Sequence, residues 1–450
     1  MSSRVAAAGD RAMSGVLDFP VKPEARAYVE AFVWPPGEPQ WLARHREQSL
    51  ARFAELGLPS RRGEAWRYID LAPLAESPMP PQRHAAPAIG ARGLLDGLGE
   101  ARYRLVLLDG RFAPELSSIG DLPAGVRLCS TTAAIADRPD LLRPLIEAPP
   151  GPARPFALLD AVFFADGFVL ELAPGAVIEP PVEIVHLACA EARGSLHTKS
   201  FVILGKESRA SLCEIFRGEG AYWRNDVVEV ALGPGAALDR ALVVEEGEAA
   251  IHLGESVARL DTGARLASFV LLAGGRTVRQ EASLFCEGEG TRSVLHGAAL
   301  LSGREEGNIV TTVDHLAPGG ETRETVKIVG AGRAHGAFQG RITVRRGAQK
   351  VDAQQTSRNL IVGRRAVIDT KPELEILADD VKCSHGAAVG DLDEAALFYL
   401  AARGISPQEA RRMLIEGFLS EAVALVEQPA LRRHLERALA RRLARLAGEA

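Results

Sequence analysis

The sequence predicts a mainly β protein: a β-helix or related solenoid, flanked by N-terminal and C-terminal α-helical regions. Three observations carry this. From about residue 156 to residue 380, short runs rich in Val, Ile, Leu and Phe alternate with glycine-containing turns, and no helical period interrupts them. Between Gly235, Gly263, Gly290 and Gly320 the turns recur every 27 to 30 residues, within the range of repeat architectures. Aromatic residues are only 5% of the 450 while glycine reaches 44, a composition that suits small residues at turns and argues against a core of large rings. A β-sandwich is the alternative, but it needs hairpin turns such as Asn-Gly, and this region has none.

The elements follow in order. Residues 1–20 carry no pattern and are expected to be a disordered extension. Residues 21–155 form a helical and mixed region. In it, Ala25, Tyr28, Val29 and Phe32, then Trp41, Leu42, Leu50, Phe53 and Leu56, recur at helical spacing around a break at Pro35, Pro36 and Gly37. Trp66 and Tyr68 read as a docking patch for these helices, because no basic groove accompanies them as base stacking would need. The apolar run Tyr103–Leu108 ends at Asp109-Gly110, as a strand and turn do, and prolines 149, 150 and 152 mark a boundary.

Residues 156–385 are assigned to the β-helix, with runs at 167–172, 182–187, 201–204, 227–232, 267–272, 309–313 and 342–344. Gly175, Gly235, Gly263, Gly290, Gly320 and Gly347 stand at the turns. Residues 386–450 return to a helical period. Asp391 is expected as an N-cap with Glu394 at N3, and Gly404 as a C-cap. Ser406, Pro407 and Glu409 open a second helix by the same device. A last helix carries Arg432, Arg433, Arg437, Arg441, Arg442 and Arg445, read as a solvated or partner-facing surface.

Composition excludes several functions. A formal charge of -5 and pI near 6.1 give no electrostatic footprint for nucleic acid or an anionic membrane. Five scattered cysteines form no C-x-x-C pair, so neither a disulfide framework nor a self-contained zinc module is indicated, and a reducing cytoplasm is expected. No apolar signal region and no long uncharged apolar run is present. There is no phosphate loop of the G-x-x-x-x-G-K-[ST] kind, no G-x-S-x-G and no H-E-x-x-H. Asp379 and Asp380 are adjacent, so on a strand they face opposite ways and make no acid/base couple; they read as turn acceptors.

The stretch that carries chemistry lies at residues 377–390. Cys383 and His385 are two residues apart, so an extended chain points a soft sulfur and an imidazole nitrogen to the same side. That is half of an iron or zinc site, or else a small buried thiol beside a hydrogen-bonded histidine. Polar residues are densest from His335 to Asp369, including Gln339, Gln349, Gln354, Gln355 and Asn359. Side-chain ladders between rungs are the leading reading there and a ligand groove the other.

Several strings now stand together: RRGAQKVDAQQ at 345–355, RNL at 358–360, IDTKPELEI at 368–376, ADDVKCSHG at 378–386, ALFYLAARG at 396–404 and SRRGEAWRY at 60–68. They resemble the SufB/SufD family of scaffold subunits in the SUF iron-sulfur cluster assembly machinery. KCSHG is SufD-like, and Leu400 stands where SufB-type sequences tend to read Cys. The resemblance implies a right-handed parallel β-helix in a non-catalytic subunit that pairs with SufB and docks the SufC ATPase. Docking would use the C-terminal helices, through Leu397, Phe398, Leu400, Met413, Leu414 and Phe418. It also implies that His385, with Cys383 beside it as a second candidate, sits at the interface with SufB and helps hold iron transiently. No cofactor would be tightly bound: iron or a nascent cluster would be shared with SufB, and ATP would enter only through SufC. A homodimer in isolation is compatible with this, and a homodimeric β-helix interaction module without a metal role is the alternative. A β-helix enzyme on acidic polysaccharide would need a basic groove and clustered carboxylates, which the sequence lacks.

Overall fold

The computed structural model describes residues 20–81, 88–148, 154–189 and 194–448. The extension expected before Pro20 and the prolines at 149–152 lie outside the described residues. The helical spacing at the N-terminus becomes α1 (Arg26–Glu30) and α2 (Gln40–Leu56), separated at the expected break. There follow α3 (Ala72–Glu76), β1 (Tyr103–Leu108), β2 (Arg111–Phe112), β3 (Ser118–Ile119) and β4 (Val126–Ser130). Next come α4 (Thr131–Asp137), α5 (Pro139–Ile146) and α6 (Pro155–Phe163).

The solenoid runs through β5 (Phe168–Leu172), β6 (Val182–Ala188), β7 (Ser195–Leu204), β8 (Arg209–Gly218), β9 (Trp223–Leu232), β10 (Ala237–Glu245), β11 (Ile251–Leu260) and β12 (Arg265–Leu272). It continues through β13 (Thr277–Cys286), β14 (Arg292–Leu301), β15 (Glu306–His315), β16 (Glu321–Ala331), β17 (His335–Val344), β18 (Asp352–Val362), β19 (Val367–Ile376) and β20 (Lys382–Gly390). From β5 onward each strand pairs in parallel with the strand two further on. Odd-numbered strands therefore build one sheet and even-numbered strands the other, two strands to a turn. Most of the apolar runs seen in the sequence mark only parts of these strands, because polar residues extend them, as Asn308 and His315 do in β15. Sheet pairing also crosses residue 155: β1 is parallel to β6, with Leu105 opposite Ile184, and β4 is antiparallel to β5. The N-terminal strands thereby cover the first edge of both sheets.

One corner of each turn before the last is set by a residue in the left-handed region. Gly175, Glu207, Gly235, Gly263, Gly290, Gly319 and Lys350 all have positive φ. Each N–H reaches the same corner one turn on: Gly235 to the Thr262 carbonyl at 2.9 Å, Gly263 to Glu289 at 2.8 Å and Gly290 to Pro318 at 3.0 Å. This ladder of corners is the physical origin of the sequence period. The glycines expected at 320 and 347 are not its members. Gly320 is needed for a different reason, since a Cβ there would stand 2.4 Å from the His315 ring.

Helices cover both outer faces. α1, α2 and α6 pack on the odd-strand sheet together with the segment around Trp66, whose ring lies 5.1 Å from that of Phe156 and 4.2 Å from the Arg279 guanidinium. The aromatic patch thus docks helices and solenoid together. Three further helices follow β20: α7 (Glu394–Ala401), α8 (Pro407–Val423) and α9 (Pro429–Gly448). The N-cap of α7 is Asp393, not Asp391; its Oδ1 accepts from Ala395 N at 2.8 Å, because the edge strand continues through Gly390 and delays the helix. Ser406 caps α8 as expected, accepting from Glu409 N. The arginines of α9 are not simply a solvated or partner-facing surface. Arg441 pairs with Glu245, Arg442 donates to the Leu300 carbonyl and Arg445 to the Ala273 carbonyl, fastening α9 to the even-strand sheet.

The interior is not uniformly apolar. Near its start, Glu246 accepts from Arg224 Nε at 2.6 Å and lies 3.1 Å from His252 Nδ1, all three side chains being fully buried. Burial opposes ionisation of Glu246, but the Arg224 charge and the His252 hydrogen bond outweigh it and hold the carboxyl down at about 2.

Candidate functional site at the terminal rung

The last rung consists of β19 and β20. Among the described residues no strand pairs with the outer edge of either, so the solenoid ends in two rows of open backbone groups. The corner between them is made by Asp380, whose carbonyl accepts from Lys350 N at 2.6 Å and whose N–H donates to Gln349 Oε1 at 2.9 Å. Asp380 thus acts at the turn, through its backbone.

Register decides which side chains look inward. On β18, Ala353, Gln355, Ser357 and Asn359 are buried between the sheets, and their partners on β20 are Cys383, His385, Ala387 and Val389. Cys383 and His385 therefore share the inner face, as their spacing predicts. They differ in surroundings. Cys383 is half-buried against the apolar core beside Ala353, and burial pushes its thiol above its ordinary value, away from the thiolate that binds metal. His385 is exposed, because no further rung covers it. Among the described residues no three His, Cys, Asp or Glu side chains gather as a metal site would require.

Beneath His385 lies a polar column that sequence reasoning did not single out. Glu324 on β16, Gln355 on β18 and His385 on β20 are register partners in successive rungs. Gln355 Nε2 donates to Glu324 Oε2, and Thr311 Oγ1 donates to the same oxygen at 3.3 Å. Burial pushes the Glu324 carboxyl up to about 7, with these two hydrogen bonds pulling weakly the other way. The available signal was the spacing of residues 324, 355 and 385, close to one turn at each step.

The remaining polar residues of this region form neither ladders of like side chains nor a single groove. His335 Nε2 lies 2.7 Å from Asp369 Oδ2 on the outer face, Arg323 pairs with Asp352, and Asn359 Oδ1 accepts from Ile328 N. Neighbouring rungs present unlike groups at these positions, so they pair across rungs instead of stacking Gln on Gln.

The helices beyond the rung present apolar groups to solvent. Phe398 is 77% exposed, Tyr399 55% and Met413 41%, with the Arg403 guanidinium 3.5 Å from the Tyr399 ring centre. Leu397, Leu400 and Leu414 are half-buried. Phe418 turns towards its own solenoid: Lys327 Nζ lies 4.4 Å from its ring centre and donates to its carbonyl at 3.1 Å. No helix among the described residues is long and apolar enough to cross a membrane.

Fold and site together define a two-sheet parallel β-solenoid with an uncapped terminal rung and an exposed apolar helix beside it. The family model described as SUF system FeS cluster assembly, SufBD core domain, matches residues 187–418. The chain is 28% identical to the iron-sulfur cluster assembly protein SufD of Escherichia coli K12 over 409 residues, covering 88% of this chain and 92% of that one. It is 25% identical to an iron-sulfur cluster assembly SufBD family protein of Synechocystis over 391 residues (84% and 86%), and 29% identical to the chloroplastic protein ABCI7 of Arabidopsis thaliana over 402 (85% and 82%). The chain belongs to the SufBD family of iron-sulfur cluster assembly proteins.

Proposed function

We propose that this chain is a non-catalytic, cytoplasmic scaffold subunit of the SUF machinery that joins a SufB-type partner through its terminal rung and docks a SufC-type ATPase through α7 and α8. The observation that carries the reading is the incomplete site on an open edge. An imidazole and a thiol share the inner face of the last rung, on a strand whose outer edge has no strand partner and with no third ligand gathered beside them among the described residues. Iron and sulfide would be the cargo: His385 supplies a borderline nitrogen ligand or accepts a proton at the interface, and the partner supplies soft ligands. Cys383 is the weaker candidate, because burial disfavours its thiolate. On the docking face, Phe398 and Met413 offer the apolar area that a partner helix or groove would cover, with Leu397, Leu400 and Leu414 beneath them, while Phe418 supports the helix from behind.

Two experiments test this. His385→Ala, placed in a cell lacking its own subunit, is expected to fail in cluster assembly; growth equal to wild type would remove the assigned role. Co-expression with candidate SufB and SufC should yield a ternary complex of defined stoichiometry. A chain that captures neither, but self-associates, would be the homodimeric module instead.

A further inference from the structure

Gln355 is 1% exposed and spans the interior towards β17, where a Cβ on Gly340 would stand 2.1 Å from its Nε2. Only glycine there leaves room for the carboxamide. Its two ends are treated differently. Nε2 is committed to Glu324, whereas Oε1 is buried and has no hydrogen-bond partner among the described residues. A buried carbonyl oxygen without a donor is uncommon. The next inward side chain in the same column, one strand spacing or about 4.8 Å further on, is His385.

We propose that Gln355 is a positioning residue for His385: its free carboxamide oxygen accepts an N–H from the imidazole, fixes one tautomer and turns the other ring nitrogen towards the open edge. Glu324 in turn orients the amide. Above the value of about 7 to which burial raises it, the Glu324 carboxylate is ionised and only accepts hydrogen bonds, so it holds the NH2 end of Gln355 and leaves the oxygen free. A neutral imidazole has one N–H and one lone pair, and the partner of the first decides where the second points. The inference rests on the reading of His385 as the ligand or proton acceptor, and it adds the residue that aims it.

The test is long-range 1H–15N correlation of the full-length protein labelled at histidine, at about pH 8.5, where exposed imidazoles are neutral. His385 is identified by the signal lost in His385→Ala. A single tautomer is expected in the wild type, and the two ring-nitrogen shifts should collapse towards their average in Gln355→Met, with the other nine of the ten histidines unmoved as the check on folding. Glu324→Gln keeps an acceptor and should keep the tautomer; Glu324→Leu should lose it. An averaged tautomer in the wild type overturns the proposal without need of any variant, as does an unchanged tautomer in Gln355→Met. The outcomes separate the two ideas. A fixed tautomer with a functional His385→Ala leaves the hydrogen bond and removes the ligand reading, whereas an averaged tautomer with His385 indispensable does the reverse.

Discussion

Glu324 sits among strands whose composition alone would place a glutamate on the surface. Its ordinary value is 4.5 and burial holds it at about 7, so between these values the native state keeps a proton that the unfolded chain has released. Its contribution to stability is complete below pH 4.5 and is lost as the pH rises through 7. Glu324→Gln removes that dependence. The stability difference between variant and wild type should change by on the order of 3 kcal/mol between pH 4.5 and 8, measured by denaturant titration at each pH. His315 and His197 act in the opposite sense. Burial lowers them from 6.5 to about 4 and about 3, so the native state holds them neutral where the unfolded chain is charged. Their contribution is present above pH 6.5 and is lost as the pH falls through those lower values. His315→Asn should flatten this acid limb while lowering stability at pH 7; an unaltered acid limb would contradict the assignment.

At the scale of elements, the solenoid depends on corners and on close approach between rungs, and glycines serve the two needs separately. Gly263 has φ +66 with no atom within 4 Å of where a Cβ would lie, so Gly263→Ala strains only the backbone, at a cost of about 1–2 kcal/mol. At Gly288 a Cβ would stand 1.9 Å from the backbone N of Thr262, which cannot move without shifting the neighbouring rung. Gly288→Ala should cost at least about 3 kcal/mol. Urea unfolding of the two variants side by side distinguishes strain from collision, and equal losses would show that one mechanism governs both. The same elements show what was legible. The corner period was visible because a left-handed backbone selects glycine, yet Glu207 and Lys350 also occupy that conformation, so a search for glycine passed over the first corner and placed the second at Gly347. The start of α7 was misplaced for a related reason: Asp391 and Asp393 are chemically equal caps, and only the length of β20 chooses between them.

Over the whole molecule, the two ends of the solenoid are unlike. β1 and β4 cover the first rung, while β19 and β20 leave the last one open. Lys382 N donates to Val351 O at 2.8 Å, so strand alternation directs the N–H groups of Cys383, His385 and Ala387 to the free edge. Ala387→Pro removes one edge donor without breaking the pairing of β20 with β18. It should leave the melting temperature of the isolated chain within a few degrees of wild type, while weakening capture of a SufB-type partner about tenfold, or 1.4 kcal/mol. Capture at wild-type strength would place the interface elsewhere.

By itself the sequence determined the solenoid architecture, the helical flanks and the shared face of Cys383 and His385, because each is written in local spacing: 3.6 for helices, 2 for strands and one turn for the corners; the family resemblance rests instead on strings such as those at 345–355 and 378–386. Only the tertiary structure decided which parity of each strand looks inward. Strands covered on both faces carry apolar residues at both parities, so alternation does not mark the core side. For the same reason Glu324 was not singled out and Gln355 read only as part of a side-chain ladder or groove, while Arg442, on a helix, read as a solvated or partner-facing residue until the rungs were stacked. Stacking then showed that a carboxylate, a carboxamide and an imidazole, about 30 residues apart in the chain, occupy one column that ends at the open edge.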